Sequence, residues 1–327
     1  MKTVFIINPK AGQGKNIQKI ISEMQKTASS LKAEIEIYIT KAVGDAEKFV
    51  RKFCKQNGPA RFIACGGDGT LSEVLNGAIE SENAEVGVIP CGTGNDFCRN
   101  FCEDTYFSDI TAQITSESVK CDAIKYTTTV NGGQNSGYCV NMFNIGFDCN
   151  VADMTQEMKK KPLISGSLAY FLSIFTTLIK KKGADLKVEL DGQEVHNGSL
   201  LLTSVANGCF CGGGIKSNPL ACVHDGLLNV NIIRDVPRRV FITLLPLYMK
   251  GTFLKKKGIE KIISSVKCKK MTIIPNKNRV IRICIDGEIT DAGKTEFEIV
   301  HNAFNFVVPT KVVEQGKTKA VPEMSRV

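Results

Sequence analysis

The first 125 residues alternate short apolar runs with longer stretches of helical periodicity, and this alternation restricts the fold more than any other feature of the sequence. The apolar runs are typical of buried strands and occupy 4–7, 35–40, 62–65 and 86–90. A helical pattern follows each run, at 16–31, 44–56, 71–80 and 95–102. Parallel strands joined by crossover helices have this order of elements. The sequence therefore predicts a three-layer α/β unit with a parallel sheet.

The second half of the chain has a different pattern. With 327 residues the protein is long enough for two domains. From residue 126 onward, many short strands are separated by turn signals, which predicts an antiparallel β domain, expected to be a sandwich. Helical stretches at about 150–182 and 236–264 interrupt it. We predict an α/β domain over 1–125, joined by the chain end at 309–327, and a β-rich domain over 126–308.

Composition indicates the cellular compartment of the protein and the charge of its partners. Lys and Arg number 42 against 33 Asp and Glu, and a net charge of +9 suits nucleotides, nucleic acid or anionic lipid without distinguishing them. The 13 cysteines are scattered through apolar stretches, and the N-terminus lacks the length and cleavage site of a signal peptide. These features indicate a reducing cytoplasm. No apolar run reaches the roughly 20 residues that a membrane-spanning helix needs.

Glycine-rich turns follow three of the predicted strands. They read NPKAGQGK at 8–15, GGDGT at 66–70 and CGTGND at 91–96. Because the carboxyl ends of parallel strands meet at one edge of a sheet, these turns are expected to converge where α/β proteins bind ligands. Neither common phosphate loop is present, since a P-loop needs a glycine in place of Pro9 and a Rossmann fingerprint needs one in place of Ser72.

Asp68 raises a question, because a carboxylate among glycines repels the phosphate that such a turn would otherwise bind. Its neighbours have a structural explanation, since Thr70 and Glu73 end a Thr-Leu-Ser-Glu sequence that predicts a capping box at a helix start. That explanation does not reach Asp68. At the end of a buried strand, this acid is placed to coordinate a divalent ion that enters with nucleotide phosphates.

The CGTGND turn also follows an apolar strand and is predicted to open a helix. Free amides at a helix start bind anions, which suits a phosphate. A plain turn with Asn95 or Asp96 as the helix N-cap is the alternative.

These motifs together resemble the diacylglycerol kinase catalytic domain, especially the soluble bacterial lipid kinases related to sphingosine kinases. The residues that carry the resemblance are Asn8, Pro9, Ala11, Gly12, Gly14, Gly66, Gly67, Asp68, Gly69, Thr70, Gly92, Thr93, Gly94, Asn95, Asp96 and Phe97. GGDGT also occurs in phosphofructokinases and NAD kinases, so GTGNDF is the element that points to lipid kinases. The resemblance covers nearly the whole chain.

The resemblance implies ATP as phosphoryl donor, with Mg²⁺. It assigns ATP binding to Asn8, Pro9, Gly12, Thr40, Gly66, Gly67, Asp68, Gly69, Thr70, Gly92, Thr93, Gly94 and Asn95. It also implies that Asp68 takes part in catalysis and that Asp96 and Asp122 belong to an acid network in the active site. From the residues alone, Thr40 and Asp122 are explained equally well as ordinary strand-end residues.

The sequence RICIDGEITD at 282–291 contains the catalytic base that the resemblance implies. Asp-Gly between alternating strands predicts a hairpin, and the same pair occurs in VELDGQEV, where Gln193 stands in the place of Glu288. Only Glu288 therefore needs a further explanation. The resemblance makes Glu288 the base that removes the proton of the acceptor hydroxyl, with Asp286 in support.

A third Asp-Gly pair lies in CVHDGLLNV at 222–230 and is explained by a turn before a strand. The resemblance implies a structural magnesium here, bound by the carboxylate of Asp225 and the backbone carbonyls of Cys222 and Leu227.

Two apolar segments, at 166–182 and 238–257, are flanked by lysines and arginines. Such stripes usually belong to a core. A kinase whose acceptor lies in a bilayer must nevertheless dock there, and basic residues favour an anionic surface. We predict that one or both segments contact lipid.

The sequence thus predicts an ATP-dependent lipid kinase that phosphorylates a primary hydroxyl, with diacylglycerol as the expected acceptor, entering between the domains. Another lipid acceptor (a sphingoid base, ceramide or phosphatidylglycerol), an NAD kinase-like enzyme, and a non-catalytic nucleotide or lipid sensor are the alternatives. The three histidines lie outside any nucleophile pattern, which gives hydrolase chemistry no support. We expect a cytoplasmic protein at the inner face of the membrane, without a nucleic-acid partner, and a homodimer stays open.

Overall fold

The structure is a computed structural model that describes residues 1–11, 17–101, 104–146 and 183–309. The chain divides into two compact units: Met1–Ala123 with the chain from His301 onward, and Ile124–Val300. Strands β5 and β15 carry the chain out of the first unit and back into it. The predicted helical stretch at 150–182, which includes the apolar segment at 166–182, lies outside the described residues, as does the chain after Pro309.

The first unit is built on a parallel sheet with the strand order β2-β1-β3-β4-β15. Its strands are β1 (Thr3–Ile7), β2 (Ile35–Ile39), β3 (Arg61–Gly66), β4 (Glu85–Pro90) and the end of β15 (Thr295–Val307). Its helices are α1 (Ile17–Leu31), α2 (Asp45–Asn57), α3 (Asp68–Ala78) and α4 (Ile110–Thr115).

Helices cover both faces of this sheet, because successive strand residues point to opposite sides. On one face, Met24 of α1 packs with Phe5 and Ile63 in a buried cluster. On the other face, the ring of Phe53 from α2 meets that of Phe62 edge-on, with centroids 5.5 Å apart. The three-layer α/β prediction is confirmed.

The second unit is an antiparallel β structure, as predicted. Its strands are β5 (Ser118–Val130), β6 (Gly133–Cys139), β7 (Met142–Gly146), β8 (Ala184–Leu190), β9 (Gln193–Ala206), β10 (Leu228–Arg234), β11 (Ile263–Cys268), β12 (Lys270–Pro275), β13 (Ile281–Ile285), β14 (Glu288–Ala292) and the start of β15. Its strands follow the order β14-β13-β7-β9-β8-β12-β15. In addition, β10 pairs with β9 and β11 with β10, and β5 pairs with β15 and β6 with β5. A buried cluster that includes Phe143, Val205 and Phe297 forms its core.

Helix α5 (Arg238–Met249) shows where one of the apolar segments goes. Its residues Phe241, Leu244 and Tyr248 are buried in a second cluster of the same unit. The apolar stripe of this segment is therefore core, as such stripes usually are. Among the residues described, no helix is both long and apolar enough to cross a bilayer.

Five phenylalanines form a buried aromatic cluster in the first unit: Phe97, Phe101, Phe107, Phe304 and Phe306. Phe306 of β15 is fully buried, and its ring meets that of Phe97 edge-on with centroids 4.9 Å apart. The GTGNDF motif ends in Phe97, so this cluster anchors the motif to the sheet.

Truncating this cluster should cost stability. We expect Phe306→Ala to lower the free energy of unfolding by about 3–5 kcal/mol, as large-to-small changes in cores do. Leu31→Ala, in the same unit but 37% exposed, is the control and should change it by about 0.5 kcal/mol. Urea unfolding of both variants measures the difference, and equal losses would show that the cluster is not a stabilising core.

Candidate active site

A cavity of about 90 Å³ lies where β1 and β2 end, at the edge predicted to bind ligand. Four residues assigned to ATP binding line it together: Asn8, Pro9, Thr40 and Thr70. The other lining residues are Lys10, Lys41, Ala42, Val43 and Glu73, none of which the sequence assigned to the site. Gly12 lies outside the described residues.

Hydrogen bonds hold the polar residues of this cavity in place. Asn8 Nδ2 donates to Thr70 Oγ1 at 3.2 Å, and Asn8 Oδ1 accepts from the amide of Lys10 at 3.0 Å. The amide of Thr40 donates to the Ile7 carbonyl at 2.9 Å. Asn8 therefore joins the end of β1 to the start of α3, and Thr40 is fixed to the same strand end.

The GGDGT and CGTGND turns touch through their glycines. A Cβ added to Gly92 would lie 2.6 Å from the Cα of Gly67, which is too close for any side chain. Within the GGDGT turn, a Cβ on Gly66 would overlap Thr70 Oγ1. Two of the three predicted turns thus meet backbone to backbone, and glycines are required at the contact.

Two carboxylates flank Gly94 at this contact. Asp68 Oδ1 accepts from the amide of Asp96 at 2.8 Å. A Cβ on Gly94 would come within 2.5 Å of Asp68 Oδ2 and 3.4 Å of Asp96 Oδ2, so the glycine leaves space between the two side chains. Carboxylate oxygens are ligands that Mg²⁺ prefers, and the residues present fit an ion at this place.

Two carboxylates supply only part of the octahedral ligand set of Mg²⁺. In the part of the chain that the structure covers, no group of three or more His, Cys, Asp or Glu side chains could hold a metal. Mg²⁺ is commonly bound through one or two carboxylates together with substrate phosphates, and the pair of Asp68 and Asp96 fits this pattern.

The loop after β4 does not continue as the predicted helix at 95–102. It contains a short 3₁₀ turn at Cys98–Asn100 instead. Asn95 has a left-handed backbone (φ 53), and its side chain closes the loop on Gly92, accepting from the amide at 3.1 Å and donating to the carbonyl at 3.0 Å. Such local side-chain bonds compete with a helix. Thr93, also assigned to ATP binding, is exposed on this loop.

The predicted capping box is wrong. Helix α3 begins at Asp68 with Gly67 as its N-cap residue, so Gly69 and Thr70 lie inside its first turn. Glu73 instead reaches the start of the preceding helix, α2, where it accepts from the amides of Gly44 at 2.8 Å and Ala46 at 3.2 Å. The Thr-Leu-Ser-Glu spacing could not show that Glu73 accepts from amides at the start of a different helix.

Asp122 is fully buried in the first unit. Its Oδ1 accepts from the amide of Asn302 at 2.8 Å and lies 2.8 Å from Nδ1 of His301. These contacts join β5 to β15 and give Asp122 a structural task. Its place in an acid network with Asp96 stays a prediction.

In the second unit, the predicted Asp-Gly turn joins β13 to β14. Asp286 and Gly287 both have positive φ, at 45° and 93°, as the primed hairpin turns require. The control turn behaves in the same way, since Asp191 and Gly192 have φ values of 48° and 82°. Glu288 follows directly, is exposed, and opens β14.

The Asp286 carboxylate is enclosed, although the residue as a whole is only half-buried. It accepts from the amides of Val140, Asn141 and Met142 at 2.9–3.1 Å, and from the Cys139 thiol at 3.1 Å. Burial raises the pKa of Asp286 above its ordinary value even though these bonds lower it. Burial also holds the pKa of Cys139 well above its ordinary value, so the thiol keeps the proton that it donates.

Asp191 provides a comparison for this anchoring. Its carboxylate accepts from the amides of Lys269 and Lys270 at 3.0 and 2.9 Å. In both hairpins the turn aspartate therefore fixes a neighbouring segment. Asp286 thus has a structural task, which is to hold the turn that precedes Glu288.

The arrangement around Asp225 does not fit the magnesium that the resemblance implies. Asp225 Oδ1 accepts from the amide of Leu227 at 3.0 Å, and Oδ2 forms an ion pair with Lys267 Nζ at 2.5 Å. Lys267 lies on β11 opposite Asn229, just after the turn that contains Cys222 and Asp225. Both carboxylate oxygens are engaged and an ammonium stands in the cation's place, whereas Mg²⁺ needs a near-octahedral set of oxygen ligands.

The Asp286 anchor generates a stability prediction. Asp286→Asn places an amide nitrogen against backbone donors, and we expect it to cost about 1–3 kcal/mol of unfolding free energy. A carboxyl whose pKa rises on folding stabilises the folded state below its unfolded pKa, and that contribution is lost as pH rises through the folded pKa. The loss should therefore be larger near pH 3.8 than at neutral pH.

Urea unfolding at the two pH values measures this loss. Asp191→Asn, at an exposed turn where water can replace the lost bonds, is the matched control and should cost less. A loss in Asp286→Asn that does not change with pH would contradict the effect of burial on the carboxyl.

The Asp225–Lys267 pair predicts how magnesium acts on the nucleotide-free protein. The melting temperature of the wild type should be the same in millimolar MgCl₂ and in EDTA, because an occupied site would stabilise the fold by mass action. Lys267→Met opens Asp225 and should gain a magnesium-dependent increase. Asp225→Asn is the control for magnesium that binds elsewhere. If the wild type shows a magnesium-dependent increase in melting temperature that Asp225→Asn abolishes, Asp225 does bind magnesium.

Comparison with known proteins agrees with this architecture. Residues 2–126 match the diacylglycerol kinase catalytic domain, and residues 141–308 match the YegS C-terminal NAD kinase beta sandwich-like domain. A relative from Alcanivorax borkumensis named "Probable lipid kinase YegS-like" is 29% identical over 235 residues, which cover 71% of this chain and 73% of that protein. A relative from Staphylococcus epidermidis named "Putative lipid kinase" is 26% identical over 302 residues, covering 91% and 93%.

Solved structures share the fold. The crystal structure of a "putative diacylglycerol kinase from Bacillus anthracis str. Sterne" has a TM-score of 0.72 at 24% identity and covers 95% of this chain and 98% of its own. A second one from the same organism has a TM-score of 0.73 at 23% identity, with the same coverage. Because the two domain matches follow one another along nearly the whole chain, the protein belongs to the lipid kinase family that joins a diacylglycerol kinase catalytic domain to a YegS-type C-terminal domain.

Proposed function

We propose that this lipid kinase transfers the γ-phosphoryl group of ATP to the primary hydroxyl of diacylglycerol, which gives phosphatidic acid. The observation that carries this proposal is the cavity lined by Asn8, Thr40 and Thr70. Thr70 lies on α3 two residues after Asp68, whose carboxylate is hydrogen-bonded to the Asp96 amide. A nucleoside in the cavity would direct its phosphates toward that pair.

Charge and backbone both favour a triphosphate here. Lys10 and Lys41 line the cavity, and their positive charges attract a polyanion. Helix α3 begins at Asp68, and the positive end of its dipole at this N-terminus favours phosphate oxygens. The contact between Gly67 and Gly92 brings the two turns together beside this helix start.

Asp68 and Asp96 would hold the magnesium that accompanies the nucleotide. When bound, the ion neutralises the phosphate charge that would otherwise be repelled by these acids. The bond from the Asp96 amide to Asp68 Oδ1 orients the Asp68 carboxylate and directs Oδ2 to the space beside Gly94.

Glu288 supplies the base. It accepts the proton of the acceptor hydroxyl while that oxygen attacks the γ-phosphorus, and the bond from phosphorus to the ADP oxygen breaks as ADP leaves. The residue is exposed, so an acceptor can reach it. Asp286, through its bonds to the 140–142 amides, fixes the turn from which Glu288 projects.

The lipid acceptor requires contact with a membrane surface, and we place part of that contact on the outer face of α5. There Arg238, Arg239 and Lys250 are exposed, and Ile242 between them is 56% exposed. Basic residues near an anionic surface gain about 1 kcal/mol each. This supports a peripheral protein at the cytoplasmic face of the membrane.

Replacing the proposed base tests the reaction. Glu288→Gln should lower kcat by about 10²–10⁴-fold, because it removes a general base, and should leave nucleotide affinity unchanged. Gln193→Ala, at the matching position of the other Asp-Gly hairpin, is the control and should retain full turnover. Measurement of ADP release in diacylglycerol micelles distinguishes the two, and unchanged turnover in Glu288→Gln would remove the assigned base.

The acceptor itself is identified by a separate experiment. Purified protein is incubated with labelled ATP and a total lipid extract, and the labelled lipid is identified. Labelled phosphatidic acid supports diacylglycerol, whereas a labelled sphingoid base, ceramide or phosphatidylglycerol would replace it as the acceptor. Turnover with NAD in solution but with no lipid would overturn the lipid assignment.

A further inference from the structure

One wall of the cavity is a loop that belongs to neither a strand nor a helix. Residues 40–44 connect β2 to α2, and 40–43 of them line the cavity. At the tip, the side chain of Val43 is 95% exposed, so the rest of the protein barely covers it. The shape of this wall must therefore be fixed from behind the loop.

Two acids provide that support, one from each side. Asp45, at the start of α2, accepts from the amide of Lys41 at 2.7 Å and from the Tyr38 hydroxyl at 3.0 Å. Glu73, from α3, accepts from the amides of Gly44 and Ala46. Asp45 closes the loop on itself, whereas Glu73 attaches it to a different helix.

The attachment by Glu73 also caps α2. Gly44, the N-cap residue, has no side chain and a left-handed backbone (φ 77), so it cannot satisfy the first amides of the helix. The carboxylate of Glu73 accepts from one of these amides, that of Ala46, and places negative charge at the positive end of the helix dipole. This cap is supplied by a residue 27 positions later in the chain than Ala46.

Helices α2 and α3 give Glu73 a rigid support. One turn after Glu73, Gly77 packs so closely on α2 that a Cβ would lie 2.7 Å from the carbonyl oxygen of Glu47. Residues four apart share a helix face, so Glu73 and Gly77 both face α2. The same helix begins with Asp68 and carries Thr70, which lines the cavity together with the loop. Glu73 thus connects the loop to the element that carries the proposed phosphate site.

We propose that Glu73 is a positioning residue for nucleotide binding, which holds the loop at 40–44 in the shape that the nucleoside end of the nucleotide requires. The proposal rests on the proposed function, because it takes the nucleotide as the ligand of the cavity. Without the two bonds, the loop samples more conformations, and binding must order it at the expense of affinity. Because the proposal places the loop at the nucleoside end and the transferred phosphoryl group beside Asp68 and Asp96, we expect the chemical step to be unaffected.

Glu73→Ala tests this role. The dissociation constant of ATP with magnesium, measured by calorimetry, should rise on the order of three- to tenfold, as expected for the loss of a helix cap. The KM for ATP should rise by the same factor, while kcat with lipid stays within about twofold. A fall in kcat with unchanged KM, or no change in either, would overturn the proposal.

Two variants separate positioning from general damage. Glu73→Gln keeps one acceptor oxygen and should restore most of the affinity, and it serves as the test variant if Glu73→Ala does not fold. Glu80→Ala removes the same charge from a side chain that is 67% exposed and lies just beyond α3. It should bind ATP like the wild type, and a loss equal to that of Glu73→Ala would reduce the effect to net charge.

A sugar analogue separates positioning from direct contact. If Glu73 acts through the loop, Glu73→Ala weakens ATP and 2′-deoxy-ATP by the same factor. A loss confined to ATP would overturn the proposal and make Glu73 a ribose ligand. A wild-type protein that binds no nucleotide would overturn this role and the proposed function together, whereas equal binding by wild type and Glu73→Ala overturns this role alone.

Discussion

The contact between two glycine-rich turns is the constraint on which the candidate site depends. The Gly67 and Gly92 backbones touch, so Asp68 Oδ1 can accept a hydrogen bond from the Asp96 amide at 2.8 Å. A side chain at Gly92 would separate the turns and move the two carboxylates apart, because its Cβ would lie 2.6 Å from the Gly67 Cα. This explains how an acid is accommodated among glycines: one oxygen of Asp68 is used to join the loops, and the other faces the space beside Gly94.

Carboxylates act as connectors throughout the molecule. Glu73 attaches the 40–44 loop to α3, Asp122 joins β5 to β15, and Asp286 fixes the 140–142 segment beneath the turn that precedes Glu288. Each accepts from backbone amides of another segment of the chain, and such charge-assisted hydrogen bonds are strong. Residues that the family resemblance marks as chemical thus have structural work as well, and substitutions there need both stability and activity measurements.

Much of the fold could be predicted from the sequence, because hydrophobic periodicity depends on local geometry. The apolar runs at 4–7 and 62–65 lie within β1 and β3, and the Asp-Gly pairs at 191–192 and 286–287 form the expected turns. Capping signals were less reliable. Thr70 lies inside α3 because that helix starts earlier, and Asn95 closes a loop where a helix was predicted. In both cases the sequence predicted that a polar side chain caps a helix, whereas in the structure that side chain forms a different hydrogen bond.

By itself, the sequence determined the class of fold, the order of the two domains and the motifs that identify a lipid kinase, since these depend on residue spacing along the chain. Only the tertiary structure decided which helix Glu73 caps and that Lys41 and Val43 share a cavity with Asn8. It also decided that Lys267 forms an ion pair with the Asp225 carboxylate. These contacts join residues that are far apart in sequence. Their partners are chosen by the packing of helices and the register of strands, and no local pattern carries that information.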